Sequence, residues 1–219
     1  VFTDLFAKGH IYRGKRMVNW CPASLTALSD EEVIMKEQRG LMYHFKVEVA
    51  KQPGTFLTIA TTRPETIPAD TAVAVNPKDP RYQHLLGKSV VRALPLDQPR
   101  EQRLIPIVAD DQVDFEFGTG VLKVTPAHDK IDYEIGQRHG LPVLSMLDKE
   151  AKVTEVGGPY AGQDRFECRK KLWADMQAVG LVIKEEPYTL NVPRSERGGE
   201  IIEPMISTQW FVKIESMAG

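Results

Sequence analysis

The chain has 219 residues, a formal net charge of −2, and 42% apolar against 26% charged residues, the composition of a globular chain with ample material for a core. A near-neutral balance excludes a generic nucleic-acid binder held by a broad basic field, so any nucleic-acid contact has to be local, such as a pocket for one strand end. No apolar run approaches the ~20 residues that cross a bilayer, and no membrane partner is expected. The opening Val1-Phe2-Thr3-Asp4-Leu5-Phe6 lacks a basic region followed by an apolar stretch, so no secretory signal is expected. The missing initiator Met reads as a piece cut from a longer protein. Cys21 and Cys168 are too few and too far apart for a disulfide framework, although one bridge between them stays open. Their spacing offers no zinc motif, and a reducing cytoplasm is the expected compartment.

In chain order, residues 1–16 read as a short helix with a turn at Lys8-Gly9, the stump of an element belonging to another domain. From Glu31 to about Val49 the text reads as two strands joined by a turn at Arg39-Gly40. Tyr43, Phe45, Val47 and Val49 there alternate with His44, Lys46 and Glu48. A strand over Thr55–Ala60 ends at Thr61-Thr62-Arg63-Pro64, where proline breaks the pattern. Short apolar runs at Ala72–Val75, Val90–Leu94, Leu104–Val108 and Val121–Val124 read as buried strands.

Two helices follow. Asp129–His139 carries Ile131 and Ile135 at i, i+4, with Gly140 and Pro142 beyond its end. Asp164–Val179 sets Phe166, Leu172, Trp173, Met176 and Val179 on one face and Arg165, Arg169, Lys170 and Asp175 outside, with Gly180 as C-cap. Extended segments return at Val182–Lys184 and Tyr188–Val192, with 196–200 as a loop. Many short strands with two inserted helices predict a mainly β fold with α: a closed or strongly curved β-barrel core with peripheral helices.

Two stretches gather groups that do chemistry. Ala60-Thr61-Thr62-Arg63-Pro64-Glu65-Thr66 ends a strand in hydroxyls, a cation and a carboxylate, as at a ligand cleft; a polar turn is the plainer reading. Phe117-Gly118-Thr119-Gly120 leads into a strand that sets Lys123 and Thr125 on one face. Pro126-Ala127-His128-Asp129 then opens a helix, and Asp129 and Asp132 share one side of it. Asp129 could be only an N-cap, and Asp132 could only complement the helix dipole. His128, Asp129 and Asp132 make a poor metal set, because no second nitrogen ligand stands at helix spacing. No Gly-x-Ser-x-Gly turn or phosphate loop is present. The residues themselves thus lead to a curved β domain with a polar, hydroxyl- and carboxylate-lined pocket, and to no particular substrate.

Both stretches resemble the inserted editing domain, connective peptide 1, of the class I aminoacyl-tRNA synthetases for valine, isoleucine and leucine. Thr71–Pro77, Gly136–Pro142 and Gln209-Trp210-Phe211-Val212 point to the valine branch. The resemblance covers nearly the whole chain. It implies a curved-barrel editing domain over 17–213, with 1–16 and 214–219 leading to and from the synthetase body, which Met17–Trp20 and Pro204–Lys213 would join. The body's His-Ile-Gly-His and Lys-Met-Ser-Lys-Ser signatures are absent, so amino-acid activation is not expected of this piece.

The implied activity is hydrolysis of the ester of threonine mischarged onto valine tRNA, with threonyl-adenylate as a further substrate. The alternatives are an isoleucine or leucine editing domain and a non-catalytic β module that binds tRNA ends. By the same resemblance Asp132 would hold the substrate ammonium, while Lys123, Thr125 and Asp129 would read the threonine hydroxyl or orient water. Thr61, Arg63 and Thr66 would line the ester and ribose, with Thr62, Glu65 and His128 also among the substrate-binding residues. Asp114 and Phe117 would sit near the terminal adenosine of the tRNA 3′ end. No cofactor is implied for editing; ATP and Mg would serve only the full-length synthetase. Two departures stand out: Cys21 replaces another small or acidic residue, and 191–200 lacks the cysteine pairs that hold zinc in some relatives, so no metal is expected there.

Overall fold

A computed structural model describes residues 1–214; the expected return segment over 215–219 lies outside the described residues. After helix α1 (Phe2–Ala7), strand β1 (Ile11–Cys21) pairs antiparallel with β10 (Glu203–Val212), Ile11 opposite Val212 through to Trp20 opposite Glu203. The short β2 (Thr26–Leu28) completes this three-stranded ribbon. β1 runs through 16 and 17 without a break, so those residues belong to one element.

The second sheet carries the core. Its strands are β3 (Val33–Val49), β4 (Phe56–Thr61), β5 (Ala72–Val75), β6 (Ser89–Val91), β7 (Leu104–Ala109), β8 (Val121–Val124) and β9 (Val182–Ser195). Along the sheet the order is β4-β3-β6-β7-β5-β8, with β9 added to β3. β5 and β7 are parallel; the other pairs are antiparallel. The sheet curls strongly enough to bring its end strands β4 and β8 against each other, yet no hydrogen-bond ladder joins them. The expected barrel is therefore an open, strongly curled half-barrel and not a closed one.

The two strands expected between 31 and 49 are one. β3 runs straight through Arg39-Gly40 because β9 pairs with it from Val33–Ser195 to Phe45–Val182, with one bulge between His44 and Phe45. Gly40 makes no turn. Its missing side chain admits Leu190 from the facing strand, whose Cδ1 lies 2.5 Å from where a Cβ would stand. The extended segments 182–184 and 188–192 are likewise one strand, β9.

β5 is buried on both faces, and its alternation divides two cores. Val73 and Val75 join Phe45, Val47, Ile59, Ile67 and Ile107 in the main core. Ala72 and Ala74 face the other way, with Val124 and Ile135 of helix α2 (Lys130–Arg138). Each buried aliphatic side chain contributes about 1.5–3 kcal/mol. Helix α3 (Arg165–Ala178) covers the main core with Cys168, Leu172, Trp173 and Met176. Its face differs from the expected one: Val179 is exposed, whereas Arg165 is buried against Glu203 at 2.9 Å. An ion pair, invisible to an apolar periodicity, sets that turn of the helix. Cys21 and Cys168 are both free and buried. No helix among the described residues is long and apolar enough to cross a membrane.

Candidate functional site

The strand end 61–66 and the segment 123–132 face each other across one cavity of about 500 Å³. Its polar end is built from β8 and from the turn Pro64–Ala69, which follows β4. Lys123 and Thr125 project from the same face of β8, as a period of two requires. Lys123 Nζ donates to Thr125 Oγ1 (2.5 Å), Thr66 Oγ1 (2.8 Å) and Asp70 Oδ1 (3.3 Å). Thr125 Oγ1 in turn donates to Asp70 Oδ1 at 2.6 Å. All four groups are buried. Burial pushes the Asp70 carboxyl above its usual range, against the pull of Lys123.

Asp132 closes this end from the first turn of α2. One carboxylate oxygen accepts the Thr125 N–H at 2.8 Å, and no bond to a described residue occupies the other. Burial raises its pKa to about 7; Lys123 opposes the shift and the Asp129 charge adds to it. Asp129 is the N-cap of α2, accepting from Ile131 N (2.8 Å) and Asp132 N (3.1 Å) through a single oxygen. It also stands exposed on the cavity wall, so capping uses only half of the carboxylate.

The other expected residues divide between wall and framework. Thr61 and Thr62 line the cavity, and Thr61 Oγ1 accepts the Arg63 N–H at 3.1 Å. Asp114 and Phe117 form the outer lip, with Phe117 60% exposed. Arg63 reaches the wall, but its guanidinium is engaged by Glu65 (3.3 Å), Glu203 and the His128 carbonyl (3.0 Å). Those carboxylates outweigh burial and hold it firmly cationic. Glu65 is not brought to the cavity. It is 1% exposed, and Arg169 (2.8 and 2.9 Å) and Arg63 take both its oxygens. The two arginines offset its burial and keep it ionised. His128 lines the wall as a neutral ring whose pKa is held well below its usual value by burial, then by Arg63 and Lys123. Its Nε2 accepts the Met146 N–H at 2.7 Å, which places the ring proton on Nδ1.

Sequence reasoning missed Asp70, the carboxylate that Lys123 and Thr125 share. Its one signal is a charged residue two positions before β5, a strand with no polar positions, where only a partnered carboxylate is tolerated. It also missed Met42, His44, Glu186 and Tyr188 on the cavity wall. His44 falls on the outward side of the β3 alternation, yet it is buried and bonds Glu186 at 2.8 Å, because β9 pairs alongside β3 and sets Glu186 diagonally opposite, on the cavity side.

The arrangement suits a small ligand with an ammonium and a hydroxyl at the polar end and a flat apolar group at the lip. The family described as tRNA synthetases class I (I, L, M and V) matches residues 1–219. Among curated relatives, the valine–tRNA ligase of Chlorobaculum tepidum is 51% identical over 217 residues, 99% of this chain and 23% of that protein. The chloroplastic/mitochondrial valine–tRNA ligase 2 of Arabidopsis thaliana is 50% identical, over 99% of this chain and 22% of that protein. That of Bacteroides fragilis is 50% identical, over 100% and 24%. The chain thus spans about a quarter of the length of these relatives. With the family match running through every residue, the chain belongs to the class I tRNA synthetases of the I, L, M and V group.

Proposed function

We propose that this chain edits: it hydrolyses the ester between threonine and the 3′ end of valine tRNA. The observation that carries the reading is the buried Lys123–Thr66–Thr125–Asp70 cluster beside Asp132 at the closed end of the cavity. Threonine and valine have nearly the same shape. An apolar pocket rejects an isostere that merely adds a hydroxyl by only about 10²-fold, a figure that belongs to the valine enzymes themselves and not to this chain. A polar site inverts the preference. Threonine's hydroxyl meets the Lys123–Thr125 end and donates to the Asp129 oxygen that capping leaves open, whereas a valine methyl forgoes that hydrogen bond to a charged group, worth about 1.5–3 kcal/mol.

In this reading the free oxygen of Asp132 takes the substrate ammonium, whose charge lowers the carboxyl's pKa and ionises it fully. Thr61, Thr62 and Arg63 face the ester and ribose, while Asp114 and Phe117 meet the terminal adenosine, Phe117 by stacking. Glu65 acts from behind by holding Arg63, while Thr66 and His128, on the wall itself, hold Lys123 and the 146 segment. A water oxygen bonds to the ester carbonyl carbon and the bond to the ribose oxygen breaks. Free threonine and a terminal ribose hydroxyl result. The ester is already activated, so no covalent nucleophile, ATP or metal is needed. Placing water against the carbonyl, with general-base help worth about 10²–10⁴-fold, suffices. The partners are the tRNA 3′ end and, in cis, the rest of a synthetase.

Offering threonyl, valyl and isoleucyl esters of tRNA side by side tests this. Threonine release should exceed valine release by at least about tenfold, the equivalent of one hydrogen bond to a charged group. Preferential release of valine or isoleucine would assign the chain to another editing specificity. Binding with no release would reduce it to a tRNA-end module.

A further inference from the structure

The outer lip of the cavity is the 114–120 loop between β7 and β8. Gly118 and Gly120 take positive φ values of 58° and 71°, and Asp114, Phe117 and Thr119 face the cavity. The loop bonds to itself from Phe117 N to Asp114 O (3.3 Å), Glu116 N to Asp114 Oδ1 (2.9 Å) and Gly120 N to Phe117 O (3.1 Å), and two consecutive side chains from the segment after β5 tie its backbone to the rest of the fold. Arg81 Nη2 donates to the Phe115 carbonyl at 2.8 Å, and the Tyr82 hydroxyl donates to the Thr119 carbonyl at 2.9 Å. Arg81 is itself held by the buried carboxylate of Asp79, with Nε at 2.9 and 3.1 Å and Nη2 at 2.7 Å from its oxygens. The Arg81 guanidinium also lies 5.1 Å from the Tyr82 ring centre. Gly120 rests directly on this pair, and a Cβ there would overlap Arg81 Nη2. Neither Arg81 nor Tyr82 lines the cavity.

We infer that Arg81 and Tyr82 are positioning residues that preset the lip for the nucleoside end of the ester, and so set nucleoside affinity without touching substrate. The inference rests on the proposed editing function. A loop ordered before binding forfeits less freedom on contact, which raises affinity. The polar end of the cavity is held separately, by the bonds of Lys123, Thr66, Asp70 and Thr125, and no bond joins those groups to Arg81 or Tyr82. Releasing the brace therefore weakens nucleoside-bearing ligands as a class and leaves threonine-over-valine choice alone.

The test is calorimetric binding of non-hydrolysable threonyl-adenosine and valyl-adenosine analogues to the unaltered chain, Tyr82→Phe and Arg81→Met, with hydrogen exchange at the 115–120 amides. Tyr82→Phe removes one hydroxyl and keeps the ring, so it preserves the fold. Each variant should bind both analogues about five- to tenfold more weakly, the worth of one hydrogen bond. Their ratio should stay constant while the loop amides exchange faster. Unchanged affinity in both variants, or a shifted threonine-to-valine ratio, would overturn the brace. Failure of the unaltered chain to bind either analogue would overturn the editing reading, and the brace with it.

Discussion

Asp132 stands under two opposed demands. Its place at the polar end requires a carboxylate for an ammonium, while its burial raises the carboxyl pKa to about 7. A folded pKa above the ordinary ~3.9 means that the native state binds the proton more tightly than the unfolded chain. The stability this confers is full below pH ~4 and is lost as pH rises through about 7. Asp132→Asn keeps an acceptor for the Thr125 N–H and removes the titration. Denaturant melts should show this variant gaining stability over the parent at pH 8 but not at pH 4. The gain should be a few kcal/mol, since each tenfold change in proton affinity is worth about 1.4 kcal/mol, and threonine release should be abolished. A variant whose stability tracks the parent's across pH 4 to 8 would contradict the assignment. Asp132, Lys123 and Thr125 were legible at this scale because strand and helix periods place them on one side. Asp70 was not: it lies 53 positions before Lys123, and the pairing of β5 with β8 brings the two together.

The elements that bear the site are short, and their ends were legible where caps mark them. Asp129 caps its helix as its position before the apolar pattern predicts, and Asp164, read as the first residue of the second helix, is its N-cap. Strand β3 was not legible, because a glycine after a charged residue has the same text whether it turns or makes room for Leu190. Glycine serves packing again at Gly136, where α2 lies flush on the rigid ring of Pro126; a Cβ there would stand 2.8 Å from its Cγ. Gly136→Ala improves helix propensity by about 0.8–1 kcal/mol, yet the overlap costs about 1–3 kcal/mol. The balance predicts net destabilisation. It also predicts a loss in turnover, since α2 must lift away from β8 and carry Asp132 with it. Melting and single-turnover hydrolysis measure the two effects, and a stabilised, fully active variant would show that α2 does not register the site.

Across the whole molecule, the ribbon and the half-barrel meet in a buried ionic network. Glu203 of β10 holds Arg63 at the cavity wall and Arg165 of α3, while Glu65 joins Arg63 to Arg169. Residues from three distant stretches share it, so nothing in the local sequence announces it; only Arg63 and Glu65 stood out, as parts of a polar strand end. Glu203→Gln leaves the buried guanidinium of Arg165 and the partly buried one of Arg63 short of a countercharge, and breaking a buried pair such as Arg165–Glu203 costs about 3–5 kcal/mol. Melting should register that loss, and threonine release should fall with it as Arg63 lets go of the cavity wall. Retained stability would mean that the ribbon is an appendage and not part of the frame.

The most direct measurement is a structure of this chain with a non-hydrolysable threonyl-adenosine analogue bound. The account predicts the amino group against Asp132, the threonine hydroxyl among Lys123, Thr125 and Asp129, and the adenine at Phe117. A ligand seated with its amino acid at the lip, or bound outside the cavity between 61–66 and 123–132, would contradict it.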